Sequence, residues 1–319
     1  MKTIDDALRD YVVELTLNQS SPAHIKTIQY RIGLFVREYP GRDIHTITEL
    51  DLATHFVALR QTRADGTMAG ITASHRAFWK FCQKQGWTKA NPATRLKSYS
   101  YLPNGRTAAP EQSIKTVLAA LPAFVAHRSR NPRDIRDAAY TSLAIDSGAR
   151  RGAMLQIRRA DAQSALAAPV SVRGSHVYQI WVKRAKTGAA KVLFTQATAS
   201  YLMDWIAIAP AGEYLFCNVE TGQPLHPDVA GKIIPRICAY TNIAPFRTHA
   251  IRKRNVTRLA ASDPEIAQRY AGHRDLSTTL AFYKEKREED VAEAVLGLAD
   301  ARIDSIHDTI HQLFSRRRG

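Results

Sequence analysis

Cysteine is scarce in this sequence. The 319 residues include three, Cys82, Cys217 and Cys238, odd in number and far apart. No Cys-x-x-Cys pair exists, which excludes a disulfide framework and a zinc ribbon. The three read as reduced thiols of a cytosolic protein. Long apolar runs are missing as well: none approaches the roughly 18 residues of a membrane span. The opening stretch, MKTIDDALRDYVVEL, carries acids where a secretory leader needs a basic and then an apolar segment. A cytoplasmic protein with no membrane partner is the expectation. Glycine and proline, 16 and 14 residues, are too few and too scattered for a collagenous or low-complexity chain. The eleven histidines show no convincing metal-ligand spacing. Acid is the remaining shortage. Asp plus Glu is 29 against 45 Lys plus Arg, a net charge of +16. Such an excess favours a polyanionic partner, nucleic acid being the commonest. A basic enzyme with a solvated surface carries the same charge.

What is present is an ordinary globular composition, 45% hydrophobic and 23% charged, with a length that suggests two domains. The basic excess is shared: residues 1–97 have 14 basic and 9 acidic side chains, residues 98–319 have 31 and 20. The first part reads as four helices without a strand. Ile4, Leu8, Tyr11, Val12 and Leu15 recur at helical spacing. Ser20-Ser21-Pro22 opens a second helix, and Pro40-Gly41 stops it. A third is expected from about Glu49 to Arg63 and a fourth from about Met68 to Gln85, ended by Gly86. Residues 91–110 (NPATRLKSYSYLPNGRTAAP) have no periodicity and read as linker, with 98–110 as its central part. Beyond it, helices are expected at 111–127, 133–147 and 150–158. Two β-prone runs follow, 176–184 and 189–195, joined by AKTG in the manner of a hairpin. The pattern then returns to helices. The fold class is therefore mainly α with a small β-sheet.

Four clusters in the second part carry possible chemistry. Ser147-Gly148-Ala149-Arg150-Arg151-Gly152 puts an arginine just after a tight turn. Ala185-Lys186-Thr187-Gly188 puts a lysine at a hairpin tip. Thr248-His249-Ala250-Ile251-Arg252-Lys253 places His249 and Arg252 on one helix face, near a terminus whose free N–H groups favour an anion. Ala271-Gly272-His273 ends one helix, and Ser277-Thr278-Thr279 opens another that bears Tyr283. Taken singly, each has an ordinary reading: a surface arginine, a solvated turn lysine, an exposed pair on a basic helix, a core tyrosine.

Their order is specific. Arg150, Lys186, His249-x-x-Arg252, Gly272-His273 and Tyr283 together resemble the tyrosine recombinase, or lambda-integrase, family. The stretch Glu213-Tyr214-Leu215-Phe216 and Thr221-Gly222-Gln223-Pro224-Leu225 resembles the run that precedes the family's His-x-x-Arg box. The resemblance covers nearly the whole chain and is Xer-like, with no arm-binding domain expected before the first helices. It implies a helical, SAM-like core-binding domain over 1–97, a linker over 98–110, and a mixed α/β catalytic domain over 111–319 ending in a helical tail. It also implies site-specific DNA recombination through a 3′-phosphotyrosyl intermediate, for integration, excision or resolution, with no metal, ATP or other cofactor. The implied partners are double-stranded DNA with short inverted-repeat core sites and further copies of the chain, a tetramer on DNA. By the resemblance, Arg150 and Arg252 hold the scissile phosphate and Lys186 protonates the leaving oxygen, with Lys183 and Lys191 as rivals for that place. His249 and His273 add hydrogen bonds, and Tyr283 is the nucleophile.

Two departures stand out. The family usually carries an acid three residues after its first arginine, and here that residue is Ala153. The family tyrosine lies nine or ten residues after the box histidine; position nine is Phe282 and position ten is Tyr283. Tyr283 is read as the nucleophile; were the spacing nine, Phe282 would be a disabled one. Two other readings share the pattern, a type IB topoisomerase-like relaxing enzyme and a site-specific DNA-binding protein with an inactive site. Within the first domain, DNA contacts are expected from the helix bearing Lys26, Gln29 and Arg31 and from the helix bearing Thr72, His75, Arg76 and Lys80. The apolar residues of 291–313 read as an amphipathic tail, docked on its own domain or on a neighbouring subunit.

Overall fold

The computed structural model describes residues 2–97, 107–127, 131–184, 188–272 and 276–277. Lys186, His273, Phe282, Tyr283 and the 291–313 tail lie outside them, and so does the middle of the expected linker. The chain divides into two compact units, Met1–Gly105 and Arg106–Gly319.

The first unit is helical because its caps and apolar spacing agree. Thr3 caps α1 (Ile4–Leu17) in a reciprocal box with Asp6, and Thr48 does the same for α3 (Glu49–Arg60) with Asp51. Ser21 caps α2 (Pro22–Val36), whose first residue is the proline expected there. The fourth helix, α4 (Asp65–Lys84), ends before Gly86, which sits at φ +74°. Expectation and structure differ at two ends: α3 stops three residues earlier, and α4 begins at Asp65, before Met68. Ile4, Ile32, Phe35, Leu52, Met68, Phe78 and Trp79 are fully or almost fully buried between these helices. Each such side chain contributes about 1.5–3 kcal/mol through loss of apolar surface to water.

The core of this unit corrects part of the expected DNA face. Thr72 and His75 are 2% and 0% exposed, so neither is a surface contact. The inward face of α4 is wide: Met68, Ile71, Thr72, His75, Phe78, Trp79 and Cys82 all point into the core, at three- and four-residue spacing. His75 lies edge-on to Phe35 and Phe56, with ring centroids 5.8 and 5.2 Å away. Burial, with a smaller contribution from His55, pushes its pKa down to about 3, which keeps the ring neutral. Arg31 is half-buried and donates to the Gly70 carbonyl (3.0 Å) and Ser74 Oγ (3.2 Å), which ties α2 to α4. A Cβ at Gly70 would lie 2.5 Å from the Arg31 guanidinium, so that seat depends on glycine. Arg76 donates to the Leu96 carbonyl. Lys26, Gln29 and Lys80 remain exposed.

The second unit is built around α6 (Pro132–Ser147). Thirteen of its sixteen residues are buried, the pattern of a helix covered on all sides. Its buried charges are compensated locally. Asp137 accepts from Arg136 (2.6 and 2.8 Å) and from Arg236 (2.6 Å), and Asp134 pairs with Arg236 at 2.7 Å. Around α6 pack α5 (Glu111–Ala126), the sheet, α9 (Gln196–Ile208), α10 (Pro227–Tyr240) and α11 (Thr248–Ser262). The sheet is antiparallel in the order β1 (Val170–Val172), β2 (Ser175–Arg184), β3 (Gly188–Thr195). Tyr178, Ile180, Val182, Val192 and Phe194 form its buried face, as period-two alternation requires. Strand β1 has no sequence signal; its three residues are all exposed, and pairing with β2 defines it.

Of the helix expected over 150–158 only a four-residue piece forms. After α7 (Arg151–Met154) the chain leaves helical geometry before α8 (Arg159–Ala167). The reason is tertiary: Leu215 N–H donates to the Ile157 carbonyl (2.8 Å) and Arg159 N–H to that of Glu213 (2.9 Å). The last described helix is α12 (Pro264–Ala271). Among the described residues no helix is long and apolar enough to cross a membrane.

Candidate active site

The site begins at the end of α6. Gly148 terminates that helix at φ +52°, a left-handed position. Space also requires glycine there: a Cβ would lie 2.8 Å from the Tyr270 hydroxyl and 3.3 Å from Asn255 Nδ2. The turn releases the chain into the extended Arg150, which opens α7 with its side chain exposed.

Helix α11 supplies the opposing residues. It starts without a side-chain cap, so the N–H groups of its first turn face outward beside Thr248 and His249. His249 is exposed. Arg252, one turn on, is 4% exposed. Its Nη1 donates to the Gly148 carbonyl (3.1 Å), and its Nη2 donates to the Ala271 carbonyl. One guanidinium thereby holds the turn before Arg150 and the end of α12, which leads into Gly272-His273. Planar Arg suits that bridging role because its donors are set in a rigid fork.

Arg150, His249 and Arg252 line one cleft of about 640 Å³, together with Ala149, Arg151, Arg247, Thr248 and the α10 residues Ala230, Gly231, Ile234 and Pro235. Positions about a hundred residues apart in sequence share its wall. No acidic side chain lines it among the described residues. The position three after Arg150 is the small, buried Ala153. The cleft is therefore a concentrated field of positive charge, suited to a phosphodiester and to the negative charge that develops when one is attacked. The other three expected catalytic residues, Lys186, His273 and Tyr283, lie outside the described residues.

Sequence reasoning missed the supports. Asn255 Nδ2 donates to the Ile145 carbonyl and to the Tyr270 hydroxyl, each at 2.8 Å, and that hydroxyl donates to the Asp146 carbonyl at 2.9 Å. Burial pushes the Tyr270 pKa up to about 12, which keeps the hydroxyl protonated and fits a structural role. The Asp146 carboxylate accepts three bonds, from Thr195 N–H (2.9 Å), Thr195 Oγ1 (2.7 Å) and Thr198 Oγ1 (2.7 Å). It fastens the base of the β2–β3 hairpin to the helix that ends at the Arg150 turn. Of these, Asn255 alone had a local signal, its place one turn after Arg252. The three cysteines are buried and free, and burial raises their thiol pKa values, that of Cys82 to about 12. Among the described residues no group of His, Cys, Asp or Glu is arranged to hold a metal ion.

Comparison with known proteins agrees with this geometry. A curated relative, tyrosine recombinase XerC of Haemophilus influenzae, is 23% identical over 83% of this chain and 87% of its own length. A lambda integrase dimer bound to a COC′ core site superposes with a TM-score of 0.67, at 15% identity, over 89% of this chain and 96% of that one. XerH site-specific recombinase bound to palindromic difH in a post-cleavage complex gives the same TM-score at 17% identity, covering 88% and 81%. Those likenesses show the fold. Residues 112–290, over half of the chain, match the phage integrase family. The chain belongs to that family, the tyrosine recombinases, as the order of its arginine, lysine and histidine motifs implied.

Proposed function

We propose that this protein is a site-specific DNA recombinase that cleaves and rejoins strands through a 3′-phosphotyrosyl intermediate. The observation that carries the proposal is the cleft, without an acidic side chain among the described residues, in which the turn after α6 and the start of α11 bring Arg150, His249 and Arg252 together. In this reading Tyr283 attacks the scissile phosphorus. Its free pKa near 10 requires help at neutral pH, and the surrounding cations favour the phenolate. His249 accepts the phenolic proton. Arg150 and Arg252 bracket the non-bridging oxygens as charge spreads over them, and His273 adds a hydrogen bond. Lys186 gives its proton to the departing 5′-oxygen. The P–O5′ bond breaks as the P–O(Tyr) bond forms, leaving a phosphotyrosyl 3′ end and a free 5′-hydroxyl. A 5′-hydroxyl from a partner duplex reverses the step and joins new strands. Because one phosphodiester replaces another, the balance needs no external energy source.

The partners in this reading are duplex DNA bearing short inverted-repeat core sites and further copies of this chain, four at synapsis. Residues 1–97 act as the core-binding domain, 98–110 as linker and 111–319 as the catalytic domain. Lys26, Gln29 and Lys80, exposed on α2 and α4, are the first-unit side chains suited to backbone contact. The test is a suicide-substrate assay on nicked duplexes tiled from the DNA flanking the gene. A protein–DNA band that survives SDS and disappears in Tyr283→Phe is the expected result. Tight binding with no covalent band would overturn the assignment of Tyr283, and restoring tyrosine at Phe282 would then decide the register. Relaxation of any supercoiled plasmid without a partner site would instead indicate a topoisomerase.

A further inference from the structure

The cleft holds more guanidinium than one phosphate needs. Besides Arg150 and Arg252, Arg151 and Arg247 line it, and both are exposed. Five other arginines of this unit are matched with acids. Arg136 and Arg236 pair with Asp134 and Asp137, Arg254 and Arg258 with Glu111, and Arg158 with Glu213. Arg151 has no carboxylate partner among the described residues, and neither has Arg247. A single phosphodiester carries one negative charge. Four arginines around one such charge leave an excess of three positive charges, and a second, adjacent phosphate offsets one of them.

Arg151 also has a seat made for it. Its Nη1 lies across α10 where a side chain at Gly231 would be: a Cβ there would come within 2.7 Å of that nitrogen. Glycine inside a helix weakens it relative to alanine, so its presence at position 231 in the middle of α10 calls for a reason. Room for the guanidinium supplies one. The Cα atoms of Arg150 and Arg151 are one residue apart, but Arg150 is extended and Arg151 is the first residue of α7, so their long side chains diverge.

Resting on the recombinase reading above, we propose that Arg151, seated over Gly231, grips the DNA phosphate next to the scissile one. It would then register the strand in the cleft and take no part in the chemical step. Arg151 is thus a positioning residue, and Gly231 keeps its guanidinium in place.

Two measurements test this with the full-length chain. The first is binding of a fluorescein-labelled mixed-sequence duplex across a series of KCl concentrations. Arg151→Gln is expected to lower the slope of log K against log [KCl] by about 0.9, the loss of one phosphate contact. Arg151→Lys is expected to restore it. Gly231→Val, which changes no charge but fills the seat, is expected to lower the slope as Arg151→Gln does, with unchanged thermal melting. The second is the rate of covalent adduct formation on the nicked duplex against DNA concentration. Arg151→Gln is expected to raise the half-saturating concentration several-fold and to leave the saturating rate near wild type, whereas Arg150→Gln lowers the saturating rate. An unchanged salt slope in Arg151→Gln would overturn the inference alone. So would a saturating rate that falls as in Arg150→Gln, since Arg151 would then act on the scissile phosphate. A wild-type protein that binds duplex DNA but never forms an adduct would overturn the recombinase reading and this inference with it.

Discussion

At the scale of single residues, Arg252 and Gly148 do more than face a phosphate. Arg252 donates to the carbonyls of Gly148 and Ala271 from a position 4% exposed. A lysine presents one compact ammonium and cannot span both. Arg252→Lys is therefore expected to reduce covalent adduct formation on the order of 100-fold, the usual loss for a preorganised donor. It should also lower unfolding free energy by about 1–3 kcal/mol, because buried carbonyls lose their partner. Urea denaturation beside the suicide-substrate assay separates the two effects. Gly148 fails differently. Alanine there meets both a left-handed φ and the Tyr270 hydroxyl at 2.8 Å. Gly148→Ala is expected to destabilise by about 1–3 kcal/mol and to misplace Arg150. Gly148→Ala combined with Tyr270→Phe should cost less than the sum of the two single changes, since the nearest obstructing atom is gone; thermal melts of the three variants check this.

Among elements, the informative junction is between α6 and the β2–β3 hairpin. One carboxylate, Asp146, accepts from the backbone and side chain of Thr195 and from Thr198. It stands two residues before Gly148 on one side and at the foot of the hairpin bearing Lys186 on the other. Asp146→Ala removes the acceptor of the exposed Thr195 N–H and hydroxyl and of the buried Thr198 hydroxyl, which keeps Ser142 Oγ as a partner, at a cost of about 1 kcal/mol. Faster amide hydrogen exchange over 188–195 is the expected signature, with slower adduct formation because the hairpin is no longer anchored. Protection equal to wild type would mean that pairing of β3 with β2 alone holds the hairpin. This staple was invisible in sequence. Asp146 and Thr195 are 49 positions apart, and only folding makes them neighbours. The same is true of the break in the expected 150–158 helix, which pairing with 213–215 imposes. The hairpin itself was legible, because alternation and Lys-Thr-Gly are local signals.

For the molecule as a whole, acid acts on the core of the first unit. The first has His75 sealed in its core, with a pKa near 3 against an ordinary 6.5. Below pH 6.5 the unfolded chain binds a proton there that the folded unit refuses. Folding stability therefore falls as pH drops from about 6.5 toward 3, by about 1.4 kcal/mol per unit once well below 6.5. Above pH 6.5 the group contributes no slope. His75→Phe is expected to flatten this dependence; chemical denaturation at pH 7 and pH 5, followed by the fluorescence of Trp79 and Trp87 in that unit, reads it. A slope equal to wild type would place the acid sensitivity elsewhere. The same burial removed His75 and Thr72 from the DNA face that their spacing with Arg76 and Lys80 had suggested. Polar side chains at helical spacing mark one face, but they do not say whether that face meets solvent or a wide core.

What the sequence by itself determined was therefore mostly local or ordered. The helix start at Ser21, the apolar spacing of the first four helices, the hairpin, the cationic excess and the succession of Arg150, His249 and Arg252 are all properties of neighbouring residues or of their order along the chain. What only the tertiary structure decided was proximity and burial. It placed Arg150, Arg151, Arg247, His249 and Arg252 around one cationic cleft. It put a glycine of α10 under Arg151 and turned Arg252 into the joint between two segments, while His75 went into the core. Proximity and burial arise from contacts between residues tens to a hundred positions apart. Their energies depend on which surfaces exclude water together, a property no single stretch of sequence carries.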